Sequence, residues 1–239
     1  MNNNERHWSS TALVLMGMWL WREGEYGHAL LCMHAPQWGY KIGTQLSITW
    51  GDVLHYEDHE CYVELNIPDK DIPPRPISYS VKESIEKAFQ VLDVKNWEDS
   101  LYMNYKTGKP LTSSTLNREL QRFSEKFLAY IKKETGRELN FKPLKSNAFE
   151  IAWALDTVKA YHYSKQAFIA VSKFMGHRTV KDTIELLEVE PNDTITFKFN
   201  YVKHFNNFLD TNIFDNKDIL IITLLKDVIH EGEEFIPII

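Results

Sequence analysis

Cysteine is nearly absent. Cys32 and Cys61 are the only two, and their spacing supports neither a disulfide framework nor a zinc site. A reducing compartment is therefore expected, with both thiols behaving as small buried hydrophobes. Long apolar runs are missing too. The longest, Ala12 to Trp21 (ALVLMGMWLW), is about half of the roughly 20 residues a bilayer-spanning helix needs, which points to a core helix and to no membrane partner. Glu5 and Arg6 balance each other ahead of it and no small-residue cleavage pattern follows. No signal peptide is expected, and the expected location is cytoplasmic. Internal repeats and low-complexity tracts are absent, and the one proline-rich cluster, Pro68 to Pro76 (PDKDIPPRP), is short enough for a loop. Hydrophobic residues at 44% and charged residues at 25% lie near globular averages, excluding collagen-like and disordered classes.

A net charge of −6, taken alone, speaks against a nucleic-acid partner. The charge is zoned, however. Residues 1–102 carry 8 basic and 15 acidic side chains, residues 103–184 carry 15 and 7, and residues 185–239 carry 4 and 11. A basic middle between acidic ends is the footprint a phosphate backbone calls for, and a solvated lysine-rich helix face gives the same count.

Hydrophobic periodicity predicts a mainly helical α+β chain with a small antiparallel sheet. Ser9 or Ser10 caps a first helix through Trp21 that ends at Gly24; a second spans roughly Tyr26 to His34; a third runs from Ile42 through Leu46 and Ile48 into Trp50. The period then falls to two over His55 to Ile67 (HYEDHECYVELNI), with Pro76 to Tyr79 as a partner strand. From Ser113 the pattern is helical again. Leu116, Leu120, Phe123, Phe127 and Ile131 form one face, opposed by Arg118, Arg122, Lys126 and Lys133. Further helices are expected over Asn147 to Tyr161 and Ser164 to Met175, the latter capped by Gly176, with Thr179 and Asp182 as a capping pair for the next. Residues 1–190 read as one domain and 191–239 as an acidic C-terminal extension that packs on it or on a neighbouring protomer.

Three segments, in order, resemble the signature boxes of the tyrosine recombinase (phage integrase) family. Gly39 to Asp52 (GYKIGTQLSITWGD) is similar to the first box, with Lys41 in the place of its arginine. Asn104 to Phe123 (NYKTGKPLTSSTLNRELQRF) looks like the Gly-x-Pro-Leu turn and the helix that lies against DNA. Leu144 to Leu186 covers the second box and the Gly-His motif: Leu-Arg-His-Thr reads Leu144-Lys145-Ser146-Asn147, the leading histidine falls on Lys142, and Gly176-His177 matches. The resemblance covers about residues 10–190 and implies the family's catalytic-domain fold, with Lys70 as the candidate for the catalytic lysine of the sheet. The spacing from Lys145 to His177 exceeds the usual one, which implies an insertion near Tyr161 to Ser164. The chain opens almost at the family's first catalytic-domain helix, so the family's N-terminal DNA-clamping domain is expected to be missing.

The substitutions bear directly on chemistry. In the family, two arginines hold the non-bridging phosphate oxygens while a tyrosine attacks phosphorus. Arginine suits that role because its planar fork gives two parallel charge-assisted hydrogen bonds and keeps its proton. Lys41, Lys142 and Lys145 keep the charge and lose the fork. The nucleophilic tyrosine usually lies nine residues beyond the motif histidine, which is Leu186 here; without it the covalent intermediate has no attacking group. Tyr161, Tyr163 and Tyr201 are the remaining tyrosines to weigh, each requiring a rearranged site or donation from a neighbouring protomer. His177, beside Arg178 and Lys181 at a helix start, reads as a phosphate contact or as a helix-junction residue satisfied locally. His55, His59 and Cys61 alternate on one strand without a fourth ligand, so no metal is expected, and Gly108-Lys109 lacks the rest of a phosphate loop. No cofactor is implied.

The leading expectation is a double-stranded DNA-binding, catalytically inactive recombinase-like protein, with Arg118, Arg122, Lys173, Arg178 and Lys181 on the duplex. A structural or regulatory protein-interaction module is the alternative. Its support is the apolar, acidic C-terminal segment, with Ile219 to Leu225 (ILIITLL) suited to self-association or a protein partner. An active recombinase with a non-standard nucleophile is the third reading.

Overall fold

A computed structural model describes residues 5–57, 60–63, 65 and 79–192. Lys70, Tyr201, Pro76 to Ser78 and the C-terminal segment from residue 193 lie outside the described residues. Among those described are eight α-helices and two small antiparallel hairpins, so the mainly helical α+β expectation holds. No helix among them is long and apolar enough to cross a membrane.

Helix α1 (Ser10–Arg22) starts where Ser9 accepts a hydrogen bond from the Ala12 amide at 3.1 Å. It is buried on all sides through Leu20, as a helix apolar all round must be. α2 (Tyr26–Trp38) packs along it and against α6 (Asn147–Ala160). α2 runs four residues past His34 despite Pro36, which leaves the Cys32 carbonyl without its i+4 amide donor, and Gly39 closes the helix on the Ala35 carbonyl at 3.0 Å. α3 is only Ile42–Leu46. The predicted continuation into Trp50 is broken because the backbone from Ile48 to Gly51 is taken by another partner: Leu101 donates to the Ile48 carbonyl, Trp50 to that of Asp99, and Gly51 to that of Trp97. A 3-10 turn, Trp50–Asp52, follows.

The sheet near residue 55 is a hairpin within the alternating stretch. β1 (Leu54–Glu57) pairs with β2 (Glu60–Val63), with His55 opposite Tyr62 and Tyr56 opposite Cys61. Of the expected partner strand Pro76 to Tyr79 only Tyr79 is described, and it opens helix α4 (Tyr79–Val91). The turn also reverses parity, so the His55 and Cys61 positions fall on opposite faces rather than on one. A second hairpin, β3 (Met103–Asn104) with β4 (Lys109–Pro110), leads into α5 (Ser113–Thr135). All five apolar residues of the predicted α5 face are buried, and Arg118, Arg122, Lys126 and Lys133 are exposed. α7 (Lys165–Met175) and α8 (Val180–Leu187) form a smaller apolar cluster with α6. Residues 161–164 join α6 to α7 in a tight turn in which His162 (φ 50°) and Tyr163 (φ 58°) both adopt left-handed backbone.

The main core holds one histidine in a polar chain. Ser84 Oγ donates to the Val81 carbonyl at 2.8 Å and therefore accepts from His34 Nε2 at 2.7 Å, leaving Nδ1 to accept from the Tyr102 hydroxyl at 3.3 Å. This chain ties α2 to α4 and to the approach to β3. Burial pushes the His34 pKa from 6.5 down to about 3. Folded His34 thus stays neutral while the unfolded chain takes up a proton below pH 6.5. Its contribution is complete above 6.5 and is lost as pH falls toward 3, at up to about 1.4 kcal/mol per pH unit. Urea melts across pH 4–7 should show that slope, and His34→Gln should flatten it. An equal slope in the variant would assign the effect to His7 and His28, which burial also holds below the ordinary value.

Candidate nucleic-acid interface

The backbone of α2 ends on Gly39 with φ 64°, a conformation that disfavours any Cβ. Space forbids one as well, because a Cβ there would stand 2.2 Å from Cδ2 of the Trp153 ring. Trp153, buried on α6, packs against Phe174 of α7 at 4.5 Å between centroids, and Tyr40 meets the same Phe174 at 6.4 Å. The Gly39–Tyr40 turn is thereby seated between α6 and α7. Lys41 emerges exposed at the far end of α7, its Nζ 3.6 Å from where a Cβ on Gly176 would stand. Lys41 and the Gly176–His177 pair, distant in sequence, share one place.

Lys145 is exposed on the turn before α6. The Ser146 amide donates to Asn117 Oδ1 at 2.8 Å, which pins this turn on α5 beside Arg118. Glu150 lies in the first turn of α6; burial raises its carboxyl pKa, and the Lys41 charge partly offsets the rise. Lys41 is therefore within electrostatic reach of the α6 N-terminal end, next to Lys145. Arg118 and Lys145 are thus placed by the Asn117–Ser146 contact before α6, and Lys41 and Lys173, the last exposed in the final turn of α7, lie by the end of α7. Arg122 follows one turn along α5, its guanidinium 4.7 Å from the Phe123 ring centroid.

His177 is held by its own junction. Its amide donates to the Ser172 carbonyl at 3.0 Å and its Nδ1 lies 2.8 Å from the buried Thr183 hydroxyl. The start of α8 is also occupied. Thr179 and Asp182 form the predicted capping box, at 2.9 and 3.2 Å, and the Thr179 amide and hydroxyl hold the Asp182 carboxyl below its ordinary value. An anion arriving there meets one already in place. Arg178 is exposed beside it, and Lys181 is exposed 3.6 Å from Glu185.

Lys142, three residues before Lys145, differs from Lys41, Arg118, Lys145 and Lys173 in being already paired. Its Nζ lies 2.6 Å from Glu188 and 3.1 Å from His7 Nε2, an engagement that nothing in local sequence announces. Leu186 is partly buried in the α6–α8 cluster, Tyr161 is buried there, and Tyr163 is half-buried at the turn. Sequence reasoning missed Asn117, Glu150 and Glu188. Only Glu150 leaves a trace, as the one charge in the apolar run Asn147 to Leu155 (NAFEIAWAL). Among the described residues, no group of three His, Cys, Asp or Glu side chains is placed to hold a metal ion.

Comparison with protein families, curated proteins and solved structures finds no match to this chain. The gathered lysines and arginines offer point charges and forks for phosphate oxygens. Leucine at 186 has no atom that attacks phosphorus.

Proposed function

We propose that this chain is a DNA-binding protein of tyrosine-recombinase-like organisation that grips a duplex backbone and does not cut it. The observation carrying this reading is the position of the Lys41 ammonium, 3.6 Å from where a Cβ on Gly176 would stand. It brings together two segments that resemble the family's first box and its Gly-His motif. Around that point the exposed cations can neutralise several phosphates, and each neutralised phosphate releases counterions and adds to affinity. Lysines in place of arginines favour binding over catalysis, since a point charge attracts phosphate and orients a pentacoordinate transition state poorly. The absent nucleophile removes the covalent step altogether.

The test is a covalent trap. Duplexes nicked beside candidate sites, incubated with the purified chain and run on a denaturing gel, should show no protein-linked DNA. A tyrosine-linked adduct, above all one lost on Tyr201→Phe, would establish an active recombinase with an unusual nucleophile instead.

A further inference from the structure

Helices α2, α5 and α7 each end on a glycine in left-handed backbone, Gly39, Gly136 and Gly176, whereas α8 ends on Glu188 at φ 58°. Glycine takes this conformation without a Cβ clash and is the usual choice there. A glutamate in its place points to a use for the side chain. That side chain reaches the Lys142 ammonium at 2.6 Å through Oε1 and stands 3.5 Å from His7 Nε2 through Oε2. His7 Nε2 is itself 3.1 Å from the Lys142 ammonium, so neutral His7 accepts from the lysine and leaves the carboxylate as its anion. The segment carrying His7 is fixed on the Lys142 segment: Lys142 donates to the Arg6 carbonyl at 2.9 Å, Trp8 Nε1 to the Lys142 carbonyl at 2.9 Å, and Trp8 stacks on Phe141 at 4.5 Å. The lysine hydrogen bond holds the Glu188 carboxyl below its ordinary value, and the residue is exposed. Three chain segments thus meet at one cation, closed by an anion that solvent and ligands can reach.

We propose that Glu188 is a built-in competitor for phosphate: its carboxylate occupies the anion position at Lys142, and DNA must displace it before Lys142 joins the basic surface. This inference rests on the DNA-binding reading above. A carboxylate and a phosphate compete for the same ammonium: Glu188 and His7 take two of its three N–H donors and the carboxylate neutralises its charge, which leaves little for a phosphate until Glu188 moves away.

Fluorescence anisotropy of a labelled duplex with the full chain provides the test. Glu188→Gln should bind about three- to tenfold more tightly, with a salt slope steeper by about one, as one more cation reaches phosphate. Glu190→Gln, an exposed neighbour with the same change in formal charge, should move affinity by less than about twofold if long-range charge alone is at work. The gain from Glu188→Gln should vanish in the Lys142→Gln background. Glu188→Asp keeps the charge, shortens the reach and suits left-handed backbone better; it should give a smaller gain in the same direction, and it carries the test if the glutamine variant melts early. Equal effects at 188 and 190, or a gain that survives loss of Lys142, would overturn the competitor while leaving DNA binding intact. Absence of salt-dependent binding in every variant would overturn the DNA-binding reading and this inference with it.

Discussion

Replacing Arg118, Arg122 and Lys173 together by glutamate is expected to weaken duplex binding by roughly a hundredfold or more near 0.1 M salt, since three phosphate contacts are lost and three repulsions added. The folded state should be little affected. All three side chains are exposed, and surface charges of this kind rarely move stability by more than about 0.5 kcal/mol. Arg118 and Arg122 stand one turn apart on the outer stripe of α5, and Lys173 ends the helix whose cap meets Lys41. A single surface touching one backbone requires all three. Anisotropy titrations on unmodified and triple-variant chains, with matched thermal melts, measure both quantities. Equal affinity of the two would remove α5 and α7 from the interface.

Gly39→Ala should have the largest effect on the fold near the site. The added Cβ has two costs, a left-handed φ of 64° and a collision with the Trp153 ring. Trp153 is buried against Phe174, so the ring cannot swing away without opening the packing between α6 and α7. Strain and overpacking together make a loss of about 3 kcal/mol or more. Because the same turn delivers Lys41 to Gly176, the variant should also lose DNA affinity under conditions where it remains folded. Chemical denaturation reads the first effect and anisotropy the second. A loss below about 1 kcal/mol would mean that the Gly39 turn is not what seats Lys41.

Much of the helical frame was legible because its periodicity is local. The spacing of Leu116, Leu120, Phe123, Phe127 and Ile131 predicts α5, and Thr179 with Asp182 predicts where α8 begins. Four features depend on distant partners and left little local signal. α3 stops early because residues 97–101 capture its continuation. The alternating stretch beginning at His55 looks like one strand, and the reversal after Glu57 shows only in the register. α4 has a clear apolar spacing, with Val81, Ile85, Ala88 and Leu92 buried, but it follows directly on a proline-rich stretch that suggests an extended chain. The turn at His162 and Tyr163 places two non-glycine residues in left-handed backbone, a conformation that composition does not announce.

The site divides the same way. Lys41, Lys145 and His177 were visible in the sequence as residue types. Their surroundings arise only on folding: Asn117 pins the Lys145 turn, Glu150 stands within electrostatic reach of Lys41, Thr183 engages His177, and Glu188 holds Lys142. These partners decide which cations are available. Lys41, Lys145, Arg118 and Lys173 face solvent without an ion pair among the described residues, whereas Lys142 is already matched by Glu188.

The most direct test of the central claim is a salt titration of the unmodified chain on duplex DNA of arbitrary sequence. The logarithm of affinity should fall linearly with the logarithm of salt concentration, with a slope of about one per phosphate neutralised and a total of roughly four to six. No binding at low salt, or binding indifferent to salt, would contradict a protein that grips the phosphate backbone through its basic centre.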